Sequence, residues 1–336
     1  MYFQTTTTFF LFLGVLSLDF ERAKDHAEKF LESCVHSGLA HSWDTEKMRW
    51  VKPYPEVTGY ILSLFSSRRI HEDLCSQMAH RLMRLQRPYG GYFSFKKKAA
   101  YVFDTAQIGK GLLDWYMWSK DEAAKKAVRL CGDFIRKMQL DSGAFFPIYS
   151  EKSRERVSLN TSWGTSFSTI NCKATEFLIA LQDAQVDDFR EVINKVCQWT
   201  LRQEQLLYTH PGAYSLEGLW AGGFAKEVAA RLEKCFIPRI QENGFLAYHP
   251  DLQYSYSSGS VQVGILCALN GCLDEAKSIW QWAWNVQQKH NNGGLFQYAN
   301  PDGSINTSIH SEINSWGTKY FYEFSSILQT KTTTLY

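Results

Sequence analysis

The chain has 336 residues, 45% of them hydrophobic and 21% charged, which supplies enough apolar material for one sizeable core. Its 36 basic and 34 acidic side chains leave a formal charge of +2, and Lys96-Lys97-Lys98 is the one basic run, so the composition argues against a nucleic-acid partner. Eight cysteines stand singly in helical runs and the nine histidines form no metalloenzyme pair, so reduced thiols, a cytoplasmic setting, no metal and no cofactor are expected.

Phe9 to Leu18 is apolar, too short to span a bilayer and preceded by no Lys or Arg. Residues 1–19 are therefore expected to be a loose N-terminal extension, with a weak secretion signal as the alternative. Phe20 to Cys34 places apolar residues at helical spacing between charges, the pattern of an outer helix. Pro55 to Phe65 is apolar on most faces and opens on proline with Glu56 in its first turn, the pattern of an inner helix. The alternation continues. Outer-type runs are His71 to Gln86, Asp121 to Gln139, Asp187 to Gln203, Ala225 to Gln241 and Asp274 to Gln288. Inner-type runs are Phe103 to Trp118, Ser162 to Leu181, Pro211 to Trp220, Gly259 to Leu269 and Glu312 to Leu328.

Between them recurs a join of glycine beside an aromatic: Gly90-Gly91-Tyr92-Phe93, Gly143-Ala144-Phe145-Phe146, Gly244-Phe245 and Gly293-Gly294-Leu295-Phe296. A repeat of roughly 50 residues built from helix pairs predicts an all-α fold, a single (α/α)6 toroid of six hairpins. The toroid is expected over residues 20–330, with 331–336 as a C-terminal tail. In such a ring every inner helix runs the same way, so six N-termini and the long joins gather at one mouth, where function is expected.

Glu56 and Asp104 open successive inner helices, whose axes pack about 8–10 Å apart, so two carboxyls can flank one sugar ring as acid and base. An acid at such a position also caps its own helix, and spacing leaves the two roles open. His210 and Tyr214 share a face at the start of the fourth inner helix and join these acids as catalytic candidates. Candidate substrate-binding residues are Tyr54, Gln107, Trp163, Lys173, Glu217, Tyr256, Gln262, Asn314, Trp316 and Lys319. Hydroxyls and amides beside aromatics suit sugars, and a lysine on an inner helix must find a partner, either Glu56 or Asp104 or the carboxylate of a substrate. The sequons at Asn160 and Asn306 carry little, because three-residue matches arise by chance.

Four ordered motifs resemble a bacterial family of helical-toroid proteins encoded among polysaccharide-biosynthesis genes. They are Tyr54-Pro55-Glu56-Val57-Thr58-Gly59-Tyr60-Ile61, Val102-Phe103-Asp104-Thr105-Ala106-Gln107-Ile108, Ala213-Tyr214-Ser215-Leu216-Glu217-Gly218-Leu219 and Asn314-Ser315-Trp316-Gly317-Thr318-Lys319-Tyr320-Phe321. Gly212 to Leu219 is also similar to the helical domain of glucuronyl C5-epimerases, a resemblance that implies tyrosines and a glutamate moving a proton on a uronic acid. The chain departs from these relatives at Ala106, where glycine is expected, at Asn171-Cys172-Lys173, and in lacking a β-rich portion. The expected protein is thus an acid–base enzyme of glycan metabolism acting on an acidic sugar or oligosaccharide, whether epimerase, lyase or hydrolase. A non-catalytic glycan-binding or scaffold protein is the alternative, and a prenyl- or terpenoid-type toroid ranks behind both.

Overall fold

A computed structural model describes residues 5–94, 98–159, 161–162, 164–203, 207–309 and 311–333. The expected contact residue Trp163, the sequon residue Asn160 and the basic residues Lys96 and Lys97 lie outside the described residues.

Twelve α-helices are described: α1 Thr5–Ser33, α2 Pro55–Arg68, α3 Glu72–Leu85, α4 Val102–Ser119, α5 Glu122–Met138 and α6 Ala174–Asp183, followed by α7 Arg190–Leu201, α8 Thr209–Ala221, α9 Ala225–Cys235, α10 Ser257–Leu269, α11 Leu273–Gln288 and α12 Ser315–Thr333. The even-numbered helices form the inner ring, each packed on the next, with α12 returning to α2 and α1 covering α12. The chain is an (α/α)6 toroid. Composition explains the two layers. α10 is buried at every position from Ser257 to Ala268, whereas α5 buries the stripe Ala124, Ala127, Val128, Cys131, Phe134, Ile135 and Met138 and shows charges outward.

The recurring joins are clamps between hairpins. Gln86, at the end of α3, donates from Nε2 to the carbonyls of Gly90 and of Ala127 on α5, and Gln139, at the end of α5, does the same to Gly143 and to Val192 on α7. Gly90 and Gly143 have φ of 97° and 96°, and a Cβ on either would lie 2.0 Å or 2.2 Å from a carbonyl oxygen of the clamped helix. Glycine is required there by both backbone conformation and space. The same clamp joins the two ends of the chain, since Gln287 Nε2 donates to the carbonyls of Gly293 and of Ala23 on α1.

A second device anchors the inner-helix starts. Thr58, Thr105 and Thr318 accept through Oγ1 from the backbone N–H of Ala40, Tyr92 and Leu295, each in the join before that helix. Small antiparallel sheets complete the mouth, among them four short strands, Arg49–Trp50, Trp43–Asp44, Glu312–Asn314 and Leu295–Phe296, in that order.

Several helix ends differ from the sequence reading. α1 begins at Thr5, so the segment expected to be a loose extension continues into a helix, and α12 runs past residue 330 to Thr333. The third inner helix starts late, as a 3-10 turn over Thr169–Lys173 leading into α6, because Thr165 Oγ1 bonds within the loop to Ser162 and Leu159. The last inner helix starts at Ser315 because Glu312–Asn314 pairs as a strand. α9 stops at Cys235 and a 3-10 turn follows, with Pro238 inside it.

Candidate active site

Two cavities lie along the axis of the ring. The first, about 250 Å3, opens among the N-terminal ends of the inner helices and is lined by Tyr54, Glu56, Asp104, His210, Tyr214, Tyr256 and Trp316. Tyr101, Phe103, Ser94, Val57, Thr165 and Ile170 complete its wall. Tyr101 and Phe103 bracket Asp104 in the chain, so their proximity was readable from the motif. Ser94 and Thr165 come from loops, and Ile170 from the 3-10 turn that opens the third inner helix.

The anchored helix starts explain why the acids meet. Glu56 lies two residues before Thr58, and Asp104 directly precedes Thr105. Between these helices Gly59 and Gly111 bring backbones into contact: a Cβ on Gly59 would sit 2.6 Å from the Cα of Ile108, and one on Gly111 2.3 Å from the carbonyl oxygen of Gly59. Each carboxyl keeps an opening to the cavity while protein surrounds it elsewhere. Burial, then the charge of Asp104, raises Glu56 well above the ordinary carboxylate range, and burial raises Asp104 to about 7 against hydrogen bonds from Ser94 and its own backbone. Each carboxyl therefore keeps its proton to a higher pH than an exposed one does.

His210 lies against both flanking tyrosines, stacked on Tyr256 at 4.5 Å and 17° and tilted on Tyr214 at 4.5 Å. Its Nδ1 is 2.8 Å from Gln262 Oε1, while Gln262 Nε2 donates to Glu217 Oε2 at 2.7 Å. The amide can satisfy both contacts only if Nδ1 carries the proton, which makes Nε2 the basic nitrogen of a neutral ring. Burial lowers His210 to about 3, so it remains neutral. Tyr214, buried and raised well above its usual value, remains a phenol and packs edge-on against Phe103 at 4.8 Å. Tyr54 packs against Trp316 at 6.2 Å on the opposite wall, a pair of rings suited to a flat ligand face.

Six expected contact residues belong elsewhere. Gln107, Lys173, Glu217 and Lys319 line a second cavity, about 350 Å3, formed by later turns of the inner helices. The lysines do not reach Glu56 or Asp104. Lys173 pairs with Glu176 at 2.6 Å and Glu217 at 2.9 Å, and Lys319 with Glu323 at 2.7 Å. Helical ion-pair spacing in Lys173-x-x-Glu176 and Lys319-x-x-x-Glu323 was the signal for these partners. Asn314 is a cap, its Oδ1 accepting from Gly317 N at 2.6 Å. Gln262 is fully buried between the cavities.

No protein-family model matches the chain, and no curated protein does. Among solved structures it is similar to cellobiose 2-epimerase from Bacillus thermoamylovorans B4167, with a TM-score of 0.71 and 12% identity over 91% of this chain and 98% of that one. It is also similar to an unsaturated glucuronyl hydrolase specific for heparin, TM-score 0.68 and 10% identity over 95% and 98%. The type II terpene cyclase MstE from Scytonema gives 0.63 and 16% over 94% and 99%. At these identities the likeness is one of fold. No helix among the described residues is long and apolar enough to cross a membrane.

Proposed function

We propose that the protein is a carbohydrate-active enzyme that moves protons on a saccharide held in the mouth cavity. One observation carries this reading: Glu56 and Asp104 face the same aromatic-walled cavity with their carboxyls raised by burial, and no lysine or arginine is among the described residues lining it. A pair in that state offers one protonated and one ionised carboxyl near neutral pH, the combination that glycoside cleavage, epimerisation and elimination each require. Glu56, held higher by its neighbour's charge, serves as the acid and Asp104 as the carboxylate base. His210, kept neutral by burial, positions the substrate beside the acids, and Trp316 with Tyr54 holds the ring.

The lysines expected to meet the carboxylate of an acidic sugar, Lys173 and Lys319, line the other cavity. The helix N-termini that remain are opposed by two acids, so a neutral sugar unit at the reacting position suits the cavity better. The likeness to saccharide-processing toroids supports a sugar, and the gene-cluster family suggested by the four motifs supports a role in polysaccharide synthesis. Incubating the protein with neutral and uronic-acid oligosaccharides in D2O tests the reading and separates its branches: new reducing ends mark a hydrolase, ultraviolet absorbance of an unsaturated uronate a lyase, and solvent deuterium retained on carbon an epimerase. Binding with no turnover of any kind would make the protein a glycan-binding module.

A terpenoid reading gains one point from the structure, since a protonated carboxyl in an aromatic cavity can also protonate an alkene. Turnover of a geranylgeranyl-bearing compound, with none of any saccharide, would establish it over the carbohydrate reading.

A further inference from the structure

The mouth cavity, about 250 Å3, lies below the roughly 300–1,000 Å3 of a pocket that encloses a whole small ligand, so a glycan chain held at Glu56 and Asp104 must continue outside it. A groove of about 460 Å3 adjoins it. Ser94 lines both, and Pro53 and Pro55 in the wall of the groove flank Tyr54 in the wall of the mouth. The side chain of Ser94 hydrogen-bonds to Asp104, which sets the junction beside the candidate base.

Charge distinguishes the groove from the mouth. Lys52, Arg84 and Arg87 line it, with no carboxyl among the described lining residues. Arg87 donates from Nε to Glu151 at 2.9 Å and lies over the ring of Phe93, 4.7 Å from its centroid, so its charge is already matched. Lys52 and Arg84 are exposed, and neither makes an ion pair among the described residues. Arg84 stands in the last turn of α3, whose C-terminus opposes the two charges with only about half a charge. The groove therefore keeps a positive excess where the mouth has two acids and no cation.

We propose that this groove is a subsite for an anionic sugar unit, carboxylate or sulfate, next to the neutral unit that reacts in the mouth, which makes the substrate an acidic glycan. The inference rests on the saccharide reading of the mouth. Lys52 and Arg84 take the anion, the guanidinium fork matching two of its oxygens. Pro53, Pro55 and Phe93 offer apolar faces to the C–H side of the ring. The charge of the glycan is thereby met beside the mouth and kept away from Glu56 and Asp104, whose ionised forms would repel it.

The test is calorimetric titration of the full chain at low salt with three hexasaccharides: hyaluronan hexasaccharide, which carries carboxylates, sulfated chitohexaose, which carries sulfates, and plain chitohexaose, which is neutral. At least one acidic chain should bind the wild type about ten-fold more tightly than chitohexaose, and the one that does identifies the anion. The double variant Lys52→Met with Arg84→Met, which alters two exposed side chains, should lose that preference and keep its affinity for chitohexaose. Arg154→Met with Arg156→Met removes the same charge from exposed positions outside the groove and should retain the preference. The proposal is overturned if neither acidic chain is preferred, if the Lys52 and Arg84 variant keeps the preference, or if both variants lose it equally, which would mark general attraction to a basic surface. Turnover of a neutral saccharide with no acidic preference would sink this inference and leave the mouth reading standing. An acidic preference set by Lys52 and Arg84, with no turnover, would support the subsite and overturn the enzyme.

Discussion

Glu56 and Asp104 combine two effects at the residue level: burial, which favours the neutral acid, and the charge of Asp104, which makes ionisation of Glu56 harder. If Asp104 is the base and Glu56 the acid, kcat/KM should rise as pH increases through about 7 and fall again where Glu56 loses its proton. Asp104→Asn should reduce turnover at least about a hundred-fold while saccharide affinity changes little, as calorimetry and initial rates would show. Loss of binding and turnover in equal measure would assign Asp104 to the ground state instead.

The same shifts have a sign for stability. A carboxyl whose pKa is raised by folding binds a proton that the unfolded chain releases, so stability is highest at low pH and declines as pH rises through the raised value. Glu56→Gln removes that decline. Its melting temperature should exceed the wild type's by more at about pH 8 than at about pH 5. A constant offset would mean that Glu56 titrates normally. His210 offers a third check at this scale: Gln262→Leu removes the acceptor at Nδ1, and nitrogen NMR of histidine-labelled protein should show the Nδ1–H tautomer replaced or mixed. An unaltered tautomer would remove Gln262 as its positioning residue.

At the scale of elements, the clamps and threonine anchors govern where the site residues stand. Gln139→Ala frees two backbone carbonyls and should cost about 1–3 kcal/mol in denaturant unfolding. Gly143→Ala should cost more, since it adds an unfavourable φ to an atom 2.2 Å from the carbonyl oxygen of Lys195. A neutral Gly143→Ala would contradict the clamp. These joins also show what the chain made legible. Glycine and aromatic recurrence reveals the repeat, and the alternation of apolar and amphipathic runs reveals two layers, because burial on all sides and burial on one side leave different patterns. The glutamines at three of these joins, Gln86, Gln139 and Gln287, are structural clamps.

What was hidden is depth along the barrel. An inner helix rises about 1.5 Å per residue, so one turn past the mouth is enough to carry a side chain toward the second cavity. Trp316 faces the mouth, while Lys319, three residues on, lies beyond the layer of Tyr214, Tyr60 and Tyr320. Lys173 lies equally deep because its helix starts late, which depends on hydrogen bonds inside a loop that no periodic pattern reports.

For the whole molecule, ring closure is what turns six first turns into one cavity. The closure rests on α1, where Phe20, Phe30 and Leu31 are buried and Phe20 packs edge-on against Trp280 at 4.5 Å. Burying three such side chains contributes about 1.5–3 kcal/mol each, comparable with the whole margin of about 5–15 kcal/mol that holds a domain folded. Deleting residues 1–34 should therefore abolish cooperative thermal unfolding in circular dichroism. A truncated chain that melts as sharply as the full one would show the ring to be held by its inner helices without α1.

Acid–base turnover requires a saccharide to sit between Glu56 and Asp104. The most direct measurement is a crystal structure of the Asp104→Asn variant soaked with neutral and uronic-acid oligosaccharides. A sugar unit is expected in the mouth cavity, within hydrogen-bond reach of Glu56 and residue 104 and facing the Tyr54–Trp316 wall. Sugar bound to the outer helices, or an empty mouth with every saccharide confined to the far cavity, would contradict it.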